Sequence, residues 1–222
     1  MGPQTAPVIP VVLIEDQAIF RHGLKLILED AGFAVAGEFN DLASALDALD
    51  DGRATPPNAL LLFPLRQCGW QEFLRRVRMN APTTTVLGIL ESPDKVVISD
   101  ALGRGLAGCL ERSFSGEVWI DTMRRAYAGT LPPSTVLLAY PAIATHVLLD
   151  LVMAASSAEI ADIAPAVNQR ERAVLLALAE QMPLADIAES TGLTESAVCA
   201  VLDSVCGKFA NRQHILDVLF HV

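Results

Sequence analysis

Cationic residues are scarce in this chain: 16 Lys and Arg stand against 26 Asp and Glu, a formal net charge of −10. Such an acidic chain has little non-specific attraction for nucleic acid or for anionic membrane surfaces. Cysteine is scarce too. Cys68, Cys109, Cys199 and Cys206 form neither a CxxC pair nor a Cys/His metal spacing, which excludes a disulfide framework and implies free thiols in a reducing, cytoplasmic setting. Cys199 and Cys206, seven residues apart, would lie roughly 10 Å apart along one helix, too far for a mutual disulfide. They read as small buried hydrophobes. His22 and His146 are isolated and read as structural. The N-terminus carries no basic stretch followed by an apolar one, so no secretory leader is expected. Nucleophile–base pairs and metal-ligand clusters are missing as well. The expectation is therefore no enzyme, no catalytic residue, no metal and no cofactor.

One apolar run approaches membrane length. Residues 136–155 read VLLAYPAIATHVLLDLVMAA, but Pro141, His146 and Asp150 interrupt them, and a charge near a bilayer centre is costly. The run reads as a connector helix buried at a domain or subunit interface, with Leu137, Ala144, Leu148, Leu151 and Ala155 on one face. No membrane span is expected.

Residues 11–129 alternate apolar, strand-like runs with amphipathic helical segments. Strands are expected at 11–15, 35–39, 58–63, 85–90 and 108–110, and helices at 18–31, 42–49, 70–79, 94–102 and 116–128. Five β/α units in that length argue for a doubly wound parallel sheet. From residue 168 the pattern becomes helical. Asn168-Gln169-Arg170-Glu171 has the form of a capping box. Pro183 opens a short helix, Gly192 turns the chain, and Thr194 caps a helix over 194–209, with a last short helix over 214–220. Helix, glycine turn and helix form a helix-turn-helix pattern.

In an open parallel sheet, chemistry sits beyond the carboxyl ends of the strands. Here the central apolar run, NALLLFPLRQ at 58–67, ends in Phe63-Pro64, which can neither ionise nor attack.

The two halves together resemble the NarL/FixJ (LuxR-type) response regulators. The resemblance rests on VLIEDQ (12–17), RHGLKLILEDAGFAVAGE (21–38), GLAGCLERS (105–113), QRERAVLLALAE (169–180) and DIAESTGLTESAV (186–198). It implies a flavodoxin/CheY-like α/β receiver with a five-stranded parallel sheet at 1–130. A helical connector would follow at 131–166, and an all-α, LuxR-type helix-turn-helix domain at 167–222. In this family a receiver takes phosphate on an Asp, with two further carboxylates holding Mg²⁺, a Lys and a hydroxyl residue. Glu15 and Asp16 match the acidic pair. Phe63 stands at the phosphoacceptor position, Leu90 at the hydroxyl position, Arg112 at the Lys and Cys109 at the aromatic switch position.

The resemblance thus implies a pseudo-receiver pocket of Glu15, Asp16, Phe63, Leu90, Cys109 and Arg112 with no phosphoacceptor. Glu15 and Asp16 are either a residual Mg²⁺ site or a pair neutralised by Arg112, whose fork suits carboxylates better than a lysine does. The DNA-facing positions implied are Thr194, Ser196, Ala197, Cys199 and Ala200, with Lys208 and Arg212 towards the far end and Val201 beside them. Arg170 and Arg172 open the domain. Little on that face offers the cations or polar forks that contact phosphates and bases. The first expectation is a phosphorylation-independent transcription regulator that binds DNA as a homodimer. The alternatives are an interaction module that bridges or titrates a protein partner, and a pseudo-receiver responding to a small ligand.

Overall fold

The computed structural model describes residues 8–51, 58–147, 149 and 167–220, with side chains to residue 210. Its first part runs β1 (Ile9–Ile14), α1 (Ala18–Asp30), β2 (Phe33–Phe39), α2 (Leu42–Asp50), β3 (Leu60–Pro64), α3 (Trp70–Asn80), β4 (Thr85–Leu90), α4 (Lys95–Gly103), β5 (Gly108–Glu111) and α5 (Gly116–Tyr127). The strands form one five-stranded sheet in the order β2-β1-β3-β4-β5. The pairs β1–β2, β1–β3 and β3–β4 are parallel, and the order is that of the flavodoxin-like doubly wound fold.

Strands covered on both faces read as continuous apolar runs. Val11–Ile14, Leu60–Phe63 and Val86–Leu87 are accordingly buried. Edge strand β2 alternates in burial instead. Helices α2, α4 and α5 begin on side-chain caps from Asp41, Asp94 and Ser115, each satisfying a free N–H of the first turn.

The chain divides into two compact units. One holds the sheet, through Ser92 and again over Cys109–Leu131; the other takes Pro93–Gly108 and the chain from Pro132 onward. This differs from the expected division at 130 in assigning α4 to the C-terminal unit. The expected continuous connector helix is also interrupted. Helix α6 (Ser134–Ala139) stops at Tyr140, and a 3₁₀ turn follows at Pro141–Ile143. The cause is Pro141, which disfavours helical geometry at the residue before it. Val136, Leu137, Ile143, Ala144 and Val147 are buried, and Leu148, Leu151, Val152 and Ala155 lie outside the described residues.

Helix α7 (Gln169–Ala179) opens on the Asn168–Glu171 capping box. Helix α8 (Leu184–Thr191) closes on Gly192 at φ 67°, left-handed backbone that glycine adopts without Cβ strain. Thr194 then caps α9 (Glu195–Phe220) through a 3.2 Å bond from the Ala197 N–H. The separate last helix expected at 214–220 is instead the continuation of this 26-residue helix. Residues 210–213, Ala-Asn-Arg-Gln, contain neither Gly nor Pro to stop it. Within its unit α9 packs against α4, α6, α7 and α8. Among the described residues no helix is long and apolar enough to cross a membrane.

Candidate functional site

The carboxyl ends of the strands are brought level by backbone bonds. Glu15 N–H reaches Phe39 O at 3.0 Å, Leu65 N–H reaches Ile89 O at 3.0 Å, and Arg112 N–H reaches Leu90 O at 2.9 Å. Residues just beyond the strands therefore meet at one edge. Glu15 is fully buried there, and both of its oxygens are satisfied. Oε1 accepts from Gln17 N–H at 2.9 Å and from Arg66 Nη2 at 3.0 Å, and Oε2 accepts from Arg112 Nη2 at 2.6 Å.

Two guanidiniums hold this edge. Arg112 also donates to Gln17 Oε1 at 2.7 Å, lies 3.5 Å from Glu91 Oε1, and sits 4.4 Å from the centre of the Phe20 ring. Its Nε is buried without a hydrogen-bond partner, a cost that the cation–π contact offsets in part. Arg66, on the loop after β3, binds both Asp16 oxygens and places Nε 3.1 Å from Glu91 Oε1. The Asp16 carboxyl is lowered to about 2, first by its hydrogen bond with the Glu15 side chain and then by Arg66.

The remaining pocket residues serve the apolar interior. The Phe63 ring is fully buried and faces α3, 5.2 Å from Phe73 and 6.5 Å from Trp70 between centroids. Leu90 is buried and contributes its carbonyl to Arg112. Cys109 is half-buried, and desolvation pushes its thiol up to about 12, far from a reactive thiolate. The structure thus brings Glu15, Asp16 and Arg112 together and gives Phe63 to the core.

These residues do not fit a Mg²⁺ ion. Magnesium needs near-octahedral oxygen ligands, whereas the Glu15 oxygens are committed to N–H donors and Phe63 supplies none. Arg66 and Arg112 already hold positive charge at the carboxylates, and like unit charges 4 Å apart near a protein surface repel by about 4 kcal/mol. Sequence reasoning missed Arg66, Glu91, Gln17 and Phe20. Two of these had a local signal: Arg66 is a cation in the loop after the central strand, and Glu91 follows β4 as Glu15 follows β1.

The second candidate site is α9. Thr194, Ser196 and Ala200 are exposed, while Ala197, Cys199 and Val201 are half-buried. Val198, Leu202, Val205, Cys206 and Phe209 are buried on the inner face, and desolvation raises the Cys206 thiol to about 12. Lys208, expected to reach phosphates, instead donates to Glu171 Oε2 at 2.7 Å; a buried carboxylate draws the nearest cation inward. Arg212 lies beyond the described side chains. Asp203, which sequence reasoning missed, accepts the N–H of Ser134 at the start of α6 at 2.8 Å. Between residues 168 and 209 three cations (Arg170, Arg172, Lys208) stand against six carboxylates.

No family model matches the chain. It is 25% identical over 190 residues to BvgA of Bordetella pertussis, a transcription regulator of virulence factors, covering 85% of this chain and 84% of that one. It is 23% identical over 216 residues to the transcriptional regulatory protein YxjL of Bacillus subtilis, covering 96% and 95% respectively. Among solved structures it matches RcsB of Salmonella enterica serovar Typhimurium bound to promoter rprA. That match has a TM-score of 0.50 and 15% identity, over 91% of this chain and 92% of that one. The relatives are transcription regulators and the shared fold is that of the response regulators, as the sequence motifs implied.

Proposed function

We propose that this chain regulates transcription in the cytoplasm, as a homodimer, through a receiver-like half that phosphorylation does not set. The carrying observation is the position of Phe63 at the end of β3, buried against Phe73 and Trp70. A phosphoryl acceptor needs an accessible carboxylate at that point, and a buried phenyl ring offers none. The named relatives support the transcriptional role, and the promoter-bound RcsB structure supports DNA as the partner class. Incubation with acetyl phosphate and Mg²⁺ should leave the intact mass and the oligomeric state unchanged; a gain of one phosphoryl group defeats this reading.

A second reading, a protein-interaction regulator without direct DNA binding, is favoured by charge. Between residues 168 and 209 three cations stand against six carboxylates, and Cys199 and Ala200 at the expected DNA-facing positions carry no charge. Salt-titrated binding to genomic and random duplexes separates the two. Direct binding through few cations should weaken only shallowly with salt, and Cys199→Lys should strengthen it across sequences, steepening the log–log slope by about 1. Absence of binding at low salt, with no gain from Cys199→Lys, selects the protein partner.

A further inference from the structure

We propose that the C-terminal unit holds a binding pocket for a small aromatic carboxylate, set between the start of α4, the 3₁₀ turn and the end of α7. The cavity measures about 280 Å³, just below the roughly 300 Å³ of the smallest drug-sized pockets, so it suits a single ring. All of its lining residues belong to that one unit.

The lining divides by chemistry. Ile98, Ile143 and Tyr140 are buried and supply apolar surface. Lys95 and Gln181 are exposed and bring polar groups to the same space. An apolar body with a few convergent polar groups is the composition of a small-molecule site.

Charge selects an anion. Lys95 is the one charged residue of the lining, and among the described residues none pairs with it. Its neighbour Asp94 is spent on the N-terminus of α4, where it accepts from Val96 N–H at 2.8 Å and Val97 N–H at 3.2 Å. In a chain of net charge −10, this cavity keeps a cation, and no carboxylate stands among its described lining residues. A ligand carboxylate would gain a charge-assisted hydrogen bond from the lysine, and an ammonium would be repelled.

The backbone at Gln181 points the same way. Helix α7 ends with Gln181 N–H on Leu178 O at 2.9 Å and Met182 N–H on Ala177 O at 3.2 Å, the paired bonds of an ending at which glycine is usual. Gln181 instead stands at φ 60°, left-handed backbone that strains a residue with a Cβ. Glycine would relieve that strain but bring no side chain to the cavity.

The 3₁₀ turn packs on both α4 and α7, and both helices pack on α9. An occupant would thus touch the frame that holds the helix proposed to face DNA. Binding itself does not depend on that proposal.

Benzoate serves as the probe, titrated into the full-length chain by calorimetry, with benzamide as its neutral counterpart. Wild type should bind one benzoate, and benzamide at least about tenfold more weakly. Lys95→Gln should weaken benzoate by about tenfold and leave benzamide unchanged. Gln181→Gly should weaken benzoate while raising the melting temperature, a pairing that a merely structural residue would not give. Ala142→Trp, at an exposed lining position of the 3₁₀ turn, should fill the cavity and abolish binding of both.

Wild type that binds no benzoate at tens of millimolar, equal affinity for benzoate and benzamide, or a Lys95→Gln protein that binds benzoate as wild type does overturns the proposal. None of these readouts uses DNA or phosphate, so failure of this pocket and failure of the transcriptional reading are distinguishable.

Discussion

Lys208 of α9 donates to Glu171 of α7 at 2.7 Å, and Glu171 is 3% exposed. The same carboxylate accepts from Asn168 N–H at 2.9 Å and from Ser204 Oγ at 3.0 Å. Burial opposes its ionisation, yet the bonds from Lys208, Asn168 and Ser204 hold its pKa below the usual value. Removing the lysine leaves a buried charge short of its counter-ion. Lys208→Ala should therefore lower stability by about 1–3 kcal/mol in urea titrations. The slope of any DNA affinity against log salt should stay unchanged, whereas loss of a phosphate-contacting lysine would flatten it by about 1.

The Asp16 carboxyl lies at about 2 against an ordinary 3.8, through its hydrogen bond with the Glu15 side chain and then through Arg66. A folded value below the unfolded one means that the ionised form favours the fold. That contribution is complete above about pH 4 and disappears as pH falls towards 2. Melting temperatures should drop across this window, and Asp16→Asn should make the drop shallower. The difference will be small, because the side chain is half exposed. Superimposable acid limbs for the two proteins would show that the Asp16 contacts contribute nothing.

Phe63→Asp looks, on paper, like restoration of a phosphoacceptor. The ring it removes fills space against Phe73 and Trp70, and a carboxylate there would be buried without a partner. Phe63→Ala should cost about 3–5 kcal/mol, and Phe63→Asp more. Neither should gain mass with acetyl phosphate. A Phe63→Asp protein as stable as wild type that accepts a phosphoryl group would show that the ring can be exchanged for an acceptor.

The sequence by itself determined the elements whose causes are local. A short apolar run such as Leu60–Phe63, bounded by prolines, reads as a strand buried on both faces, and Asn168 with Glu171 writes a capping box within four residues. Gly192 marks a left-handed turn for the same local reason. The acidic pair Glu15-Asp16 and the apolar Phe63 were legible too, because strand ends are where an α/β sheet keeps its chemistry.

What only the tertiary structure decided is where isolated charges go. Arg66 meets Asp16 across 50 residues of chain, and Asp203 meets Ser134 across 69. A single charge in a loop or on a helix has no periodicity, so nothing in the sequence names its partner. Lys208 looked free for phosphate for the same reason, since the depth of Glu171 depends on how α7 packs against α9. Packing sets which carboxylates lose their water, and a desolvated carboxylate takes whichever cation the fold brings within reach.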